Sequence, residues 1–160
     1  MNREKLLRDE AGTFPPLHEG ILRLIATTGI ELNGTKTTLI GNSDEFLEPL
    51  AYLLTRAGCF VESMKPDDLN MRSLKESMIV VTAVGREKFL TSLMVADGAV
   101  VIDVGTNRRA DGTVCGDADA ESFNEKNGWL TPVPGGVGPM TVAMLLASVV
   151  RGATTNVLPQ

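Results

Sequence analysis

The chain has 160 residues, 43% of them hydrophobic, enough for one domain with a full-sized core. A formal net charge of −5 and only 4% aromatic residues exclude nucleic acid as the main partner, and the charge argues equally against an anionic membrane. His18 is the single histidine, which excludes a histidine-rich metal site; no metal is expected.

Short apolar runs alternate with helical stretches along the chain, the mark of βαβ units around a parallel sheet. Residues 1–13 read as a tail without the apolar stretch of a signal peptide. Residues 17–28 form an amphipathic helix closed by Gly29. A strand over 37–40 ends in Gly41-Asn42-Ser43, and the helix 44–57 follows, with Ser43 as its N-cap and Gly58 just past its end. Next come a strand at 60–64, a polar helix at 67–76, a buried strand at 78–84 and a short helix at 90–95. A second buried strand covers 99–104, and Asp111-Gly112 reads as a hairpin turn. Residues 119–126 are predicted helical, 129–131 a last strand, 141–151 the closing helix and 154–160 a second tail. No apolar run is expected to span a bilayer. Cys59 and Cys115 belong to no CxxC pattern and read as small buried thiols in a reduced, cytoplasmic setting.

These elements predict a Rossmann-like α/β domain over 14–153, with a doubly wound, mostly parallel sheet and helices on both faces. Ligands of such sheets bind beyond the C-terminal ends of the strands. Gly41-Asn42-Ser43, Val84-Gly85, residues 104–107 and the loop from Thr131 all belong at those ends.

The densest signal is Thr131-Pro132-Val133-Pro134-Gly135-Gly136-Val137-Gly138-Pro139-Met140-Thr141. So much Gly and Pro predicts a fixed loop in which backbone approaches something closely, leading into a helix that starts at Pro139. The string resembles the C-terminal signature of the methylenetetrahydrofolate dehydrogenase/cyclohydrolase family. Residues 101–107 are similar to that family's strand ending in DVGxN. Residues 112–119 are similar to its G-x-L-x-G-D-V-D stretch, with Val114 and Ala118 as departures. Thr82-Ala83-Val84-Gly85 resembles the strand end that passes under the nicotinamide. Gly41-Asn42-Ser43, with Pro49, resembles the phosphate turn GRSxxVGxP, and Phe14-Pro15 with Gly20 the entry to this domain.

The resemblance covers only the family's C-terminal, dinucleotide-binding half. It implies NADP or NAD held by Gly41, Asn42, Ser43, Val84, Gly85, Gly105, Thr106, Asn107 and Thr141, with Pro134, Gly135, Gly136 and Val137 facing the folate. The family's catalytic lysine lies in a separate N-terminal domain, so no catalytic residue is assigned in this chain. Tyr52 and Arg56 mimic that domain's Tyr-x-x-x-Lys spacing but read as a pair on a helix surface.

The phosphate turn departs most from the family pattern. Asn42 stands at its arginine and Leu47, a bulky side chain, at its second glycine; Asp44, Glu45 and Glu48 fill variable positions. One carboxylate about 6 Å from a pyrophosphate costs about 0.7 to 3 kcal/mol for effective dielectric constants of roughly 80 to 20. Weak or absent dinucleotide binding is therefore predicted, although acids after a Ser N-cap are also ordinary helix-start chemistry. Asp67 and Asp68 would repel a 2′-phosphate and so disfavour NADP more than NAD, or they simply start a helix. Asp103 reads as a strand-end carboxylate accepting backbone N–H bonds rather than a base, and Asp117 and Asp119 as turn and N-cap residues.

Two functions stay open. One is the cofactor half of a methylenetetrahydrofolate dehydrogenase/cyclohydrolase, inactive alone. The other is a non-catalytic relic serving as a binding or assembly module. Either implies exposed apolar surface on the first and last helices, where the family's other domain packs, and hence self-association or a partner.

Overall fold

The computed structural model describes residues 14–155; the predicted tail 1–13 and residues 156–160 lie outside them. In chain order the elements are α1 (Pro16–Thr27), β1 (Lys36–Gly41), α2 (Asp44–Arg56), β2 (Phe60–Met64), α3 (Met71–Glu76), β3 (Ile79–Ala83), β4 (Val100–Asp103), β5 (Asn107–Arg108), β6 (Val114–Cys115), β7 (Trp129–Leu130) and α4 (Val137–Thr155). Five strands pair in parallel in the order β2-β1-β3-β4-β7, and β5 and β6 form a separate antiparallel hairpin. The winding reverses between β1 and β3, which sit side by side although β2 separates them in sequence.

Both faces of the sheet are covered, so the central strands read as unbroken apolar runs instead of alternating. Leu39, Ile79, Val81, Val100 and Ile102 point to one face and meet Ile21 and Ile25 of α1 and Leu47, Leu50 and Leu54 of α2. Ile40, Val80 and Val101 point to the other and meet Leu74 of α3, Leu90 and Val95. Each such side chain, fully buried, contributes about 1.5–3 kcal/mol.

Several predicted bounds shift. Asn70, not the Asp67-Asp68 pair, caps α3: its side chain accepts from the Ser73 N–H at 3.2 Å. The helix therefore starts at Met71, and the two acids lie in the turn before it. The predicted helices 90–95 and 119–126 shrink to single 3₁₀ turns, Ser92–Met94 and Ala120–Phe123. Ser43 is the N-cap of α2 by position, but its hydroxyl donates to Glu45 Oε2 at 2.7 Å instead of capping the backbone. Arg56 stacks on Tyr52 across one helical turn, as their spacing implied. Both cysteines are buried and free.

The closing helix differs most, running Val137–Thr155 rather than 141–151. One side packs on α1, where Gly20 admits Met140 and Arg151 forms a bidentate pair with Glu19 at 2.7 and 3.2 Å. Its other side carries Val142, Leu145, Leu146, Val149 and Val150, each 51–62% exposed. Residues 137–154 are long and apolar enough to cross a membrane by length and composition, which corrects the expectation that no run would be. The exposed apolar face expected on the last helix is present, but the one expected on the first is not: Ile21 and Ile25 of α1 are buried and Leu17, Leu22 and Leu24 half-buried, because α4 and the sheet cover them.

His18 of α1 shows how tightly α1 meets α2. Its Nε2–H donates to the Phe46 carbonyl at 2.9 Å, and its Nδ1 is buried without a hydrogen-bond partner. That arrangement suits the neutral ring, and burial lowers its pKa below the ordinary 6.5, the Phe46 bond acting in the opposite direction. A depressed histidine pKa favours folding fully above the ordinary value, and that contribution is lost as pH falls. Urea midpoints should accordingly fall between pH 7 and pH 5 more steeply in the wild type than in His18→Gln. Parallel pH profiles of the two proteins would contradict this account.

Candidate functional site

At the C-terminal edge of the sheet two buried carboxylates, Asp103 at the end of β4 and Asp117 after β6, tie the loops together. Asp117 accepts the backbone N–H of Val84 (2.6 Å), Gly85 (3.0 Å) and Arg86 (3.0 Å), together with the Asn107 amide (3.0 Å) and the Thr82 hydroxyl (3.3 Å). Asp103 accepts from Gly105 (2.9 Å), Asp117 (3.0 Å) and Ala118 (2.7 Å). Each carboxylate lies over the other segment's glycine: a Cβ on Gly105 would overlap Asp117, and one on Gly116 would overlap Asp103. Burial pushes the Asp103 carboxyl above the usual range; its backbone N–H bonds pull the other way, and the nearby Asp117 charge adds to the rise.

Asp103 thus has the N–H-accepting role its position suggested. Asp117 needs correcting, because it is a fully buried anchor rather than a turn residue. Asp119 precedes its 3₁₀ turn as predicted, though its side chain makes no cap bond.

The anchors shape a cleft of about 450 Å³ walled by Val104, Gly105 and Thr106 after β4, by residues 132–139, and by Leu17 and Thr141. Gly136 fits because its Cβ position lies 2.7 Å from the Pro132 carbonyl, to which its own N–H donates at 2.8 Å. The Val133–Pro134 peptide is cis. Thr131 joins loop to sheet, its hydroxyl accepting from the Asp103 N–H at 2.8 Å. Pro134, Gly135, Gly136 and Val137 therefore face Gly105 and Thr106 across one cleft, with Thr141 on its helical wall. Asn107 does not face the cleft through its amide, which is spent on Asp117 and the Gly116 carbonyl. The Thr141 hydroxyl donates to the Val137 carbonyl in its own helix. A second cleft of about 490 Å³, lined in part by Lys88, Arg109 and Phe123, adjoins the first through Asp103, Val114, Pro132 and Val133.

The turn Gly41-Asn42-Ser43 lies at the switch point between β1 and β3. Asn42 spans it, donating to the Val84 carbonyl at 2.8 Å. Leu47 does not obstruct the turn, a correction to its expected intrusion; it is buried in the core, with its side chain beneath Gly41. Asp44 is paired with Lys65 at 2.6 Å, and the same ammonium donates to the Asn42 carbonyl at 3.2 Å. Asp67 is paired with Arg86 at 2.8 Å, which holds its carboxyl below the usual range. Sequence reading missed both cations, which answer the acids from neighbouring strand ends. The turn offers a pyrophosphate the N-terminus of α2.

A family model of the tetrahydrofolate dehydrogenase/cyclohydrolase NAD(P)-binding domain matches residues 15–157. The bifunctional protein FolD of Verminephrobacter eiseniae is 44% identical over 149 residues, 91% of this chain and 52% of that protein. FolD of Campylobacter curvus is 40% identical over 153 residues, 95% of this chain and 53% of that one. The crystal structure of FolD from Campylobacter jejuni aligns with a TM-score of 0.89 at 35% identity, covering 96% of this chain and 55% of that one. FolD of Trypanosoma brucei, complexed with NADP cofactor and inhibitor, aligns with a TM-score of 0.82 at 28% identity, over 92% of this chain and 53% of its own. The chain spans about half the length of the curated relatives it matches.

Asp117→Asn would turn an amide N–H₂ toward groups that all donate. Chemical denaturation should show a loss of about 2–4 kcal/mol, the range for spoiling a buried, fully bonded charge. A loss under about 0.5 kcal/mol, typical of a surface change, would mean the loops hold without this anchor.

Proposed function

The chain belongs to the tetrahydrofolate dehydrogenase/cyclohydrolase family through its NAD(P)-binding domain, and we propose that it is the cofactor-holding half of such an enzyme. Joined to the remaining half, it would serve hydride transfer from methylenetetrahydrofolate to NAD(P)+. The carrying observation is the cleft in which the Gly/Pro loop, Pro134 to Val137, faces Gly105 and Thr106 beyond the sheet's C-terminal edge.

In this reading the N-terminus of α2, behind Gly41-Asn42-Ser43, receives the pyrophosphate through backbone N–H groups. Val84 and Gly85, held by Asp117, form the floor over which the dinucleotide passes. The backbone at Gly105-Thr106-Asn107, with Thr141, flanks the nicotinamide, and Pro134, Gly135, Gly136 and Val137 shape the folate side. The bound dinucleotide supplies the hydride acceptor. This chain's residues bind and orient; none of them is proposed to move a proton, and the lysine chemistry belongs to the other half.

Asp44 and Glu45 at the start of α2 weaken the hold on a pyrophosphate, and Lys65 offsets part of that cost. The reading is therefore reduced affinity, not lost affinity. The stripe Val142, Leu145, Leu146, Val149 and Val150, at the three- and four-residue spacing of a helical seam, is proposed to receive the remaining half of the enzyme.

Calorimetric titration of the full chain with NAD+ and NADP+ should give at least one dissociation constant between about 10 μM and 1 mM, or about 4 to 7 kcal/mol. Hydride transfer should be absent from the chain alone and appear when the remaining half of a relative is supplied. No heat and no thermal shift with either dinucleotide at millimolar concentration would sink the proposal and leave the non-catalytic binding module as the better description.

A further inference from the structure

Because β1 lies between β2 and β3, any contact between the segments that follow β2 and β3 must cross the end of β1. Asp67 and Arg86 make such a contact. Arg86, directly after Gly85, donates from its guanidinium to Asp67 Oδ1 at 2.8 Å, and Asp67 lies in the turn after Met64. By that strand order their ion pair crosses beyond the end of β1, the end that leads into Gly41-Asn42-Ser43. The side chains are 51% and 79% exposed, so the bridge is open to solvent and exchangeable. The main chain below is not: the Arg86 N–H is held by buried Asp117 at 3.0 Å, and Pro66 restricts the backbone just before Asp67. Two exposed charged heads thus stand on restricted backbone at the ends of the strands that flank β1.

We propose that this pair selects NAD over NADP: on binding, the Arg86 guanidinium turns to the pyrophosphate, and Asp67, released, accepts from the hydroxyls of the adenosine ribose. The inference rests on the dinucleotide reading above. A guanidinium presents parallel donors that match phosphate oxygens. An acid after the second strand of a doubly wound sheet is the usual acceptor for a ribose diol. A 2′-phosphate would instead bring nearly two further negative charges beside Asp67 and Asp68. Lys65, the other cation of this corner, is already engaged by Asp44 and the Asn42 carbonyl.

The test is calorimetric titration of the full chain and two variants, Asp67→Asn and Arg86→Met, with NAD+ and with NADP+. Both substitutions are at exposed side chains, and thermal melts of the three proteins will show that the fold is kept. The wild type should bind NAD+ at least about tenfold more tightly than NADP+, a difference of about 1.4 kcal/mol. Asp67→Asn should weaken NAD+, strengthen NADP+ and cut the ratio by about tenfold. Arg86→Met should weaken both by a similar factor and leave the ratio standing. Equal or tighter NADP+ binding by the wild type, or an unchanged ratio in Asp67→Asn, would overturn the selection alone. Failure of all three proteins to bind either dinucleotide would overturn the dinucleotide reading together with it.

Discussion

The site edge of this domain depends on two carboxylates seated over two glycines. Asp103 occupies the space above Gly116, and Asp117 the space above Gly105. Neither acid could be buried there without the eight donor contacts that the surrounding loops supply. A buried charge is tolerated only when nearly all its acceptor capacity is used. The demand therefore runs both ways: the loops must bring their N–H groups inward to satisfy the acids, and once satisfied the acids hold the loops. This explains how the ends of β3 and β4 and the small β5–β6 hairpin act as one rigid rim, although the hairpin has only two paired residues per strand.

That rim connects to the other two parts of the cleft by short, identifiable links. Asn42 reaches from the phosphate turn to the Val84 carbonyl, and Val84 is in turn bonded to Asp117. On the far side, Asp103 bonds through its own N–H to Thr131, where the Gly/Pro loop begins. From the switch point to the loop, the order of contacts is Asn42, Val84, Asp117, Asp103, Thr131. Of the positions that resemblance marked as cofactor contacts, Asn42 and Val84 are links in this line, and Gly85, Gly105 and Asn107 are bonded to its two carboxylates.

Much of the fold was legible because burial on both faces leaves an unmistakable apolar run in the central strands, and because Gly29 and Gly58 mark the ends of α1 and α2. The Gly/Pro loop could be placed for the same reason: its composition permits little else. What escaped was set by contacts distant in sequence. Asp117 looked like a turn residue since nothing local says that Val84, Gly85 and Arg86 will arrive to donate to it. Leu47 looked obstructive in a linear motif, but the helix turns it inward beneath Gly41. Asp44 and Asp67 looked uncompensated because their partners, Lys65 and Arg86, come from the ends of other strands. The two predicted helices that became 3₁₀ turns lie in segments whose apolar residues dock on the sheet individually, so no helical stripe was needed.

The long closing helix adds a mechanical consequence. Its first turn is part of the cleft: Val137 is buried there, and Thr141 lines the wall. Its later turns carry the exposed stripe from Val142 to Val150, and its inner side is fixed to α1 by the Gly20–Met140 approach and the Arg151–Glu19 fork. A helix is stiff over this length, so load on the stripe is borne by the same element that walls the cleft. The exposed apolar surface and one wall of the cleft therefore belong to a single helix. That helix is what fixes the C-terminal end of the loop Pro134 to Val137, the side of the cleft that no buried carboxylate holds directly.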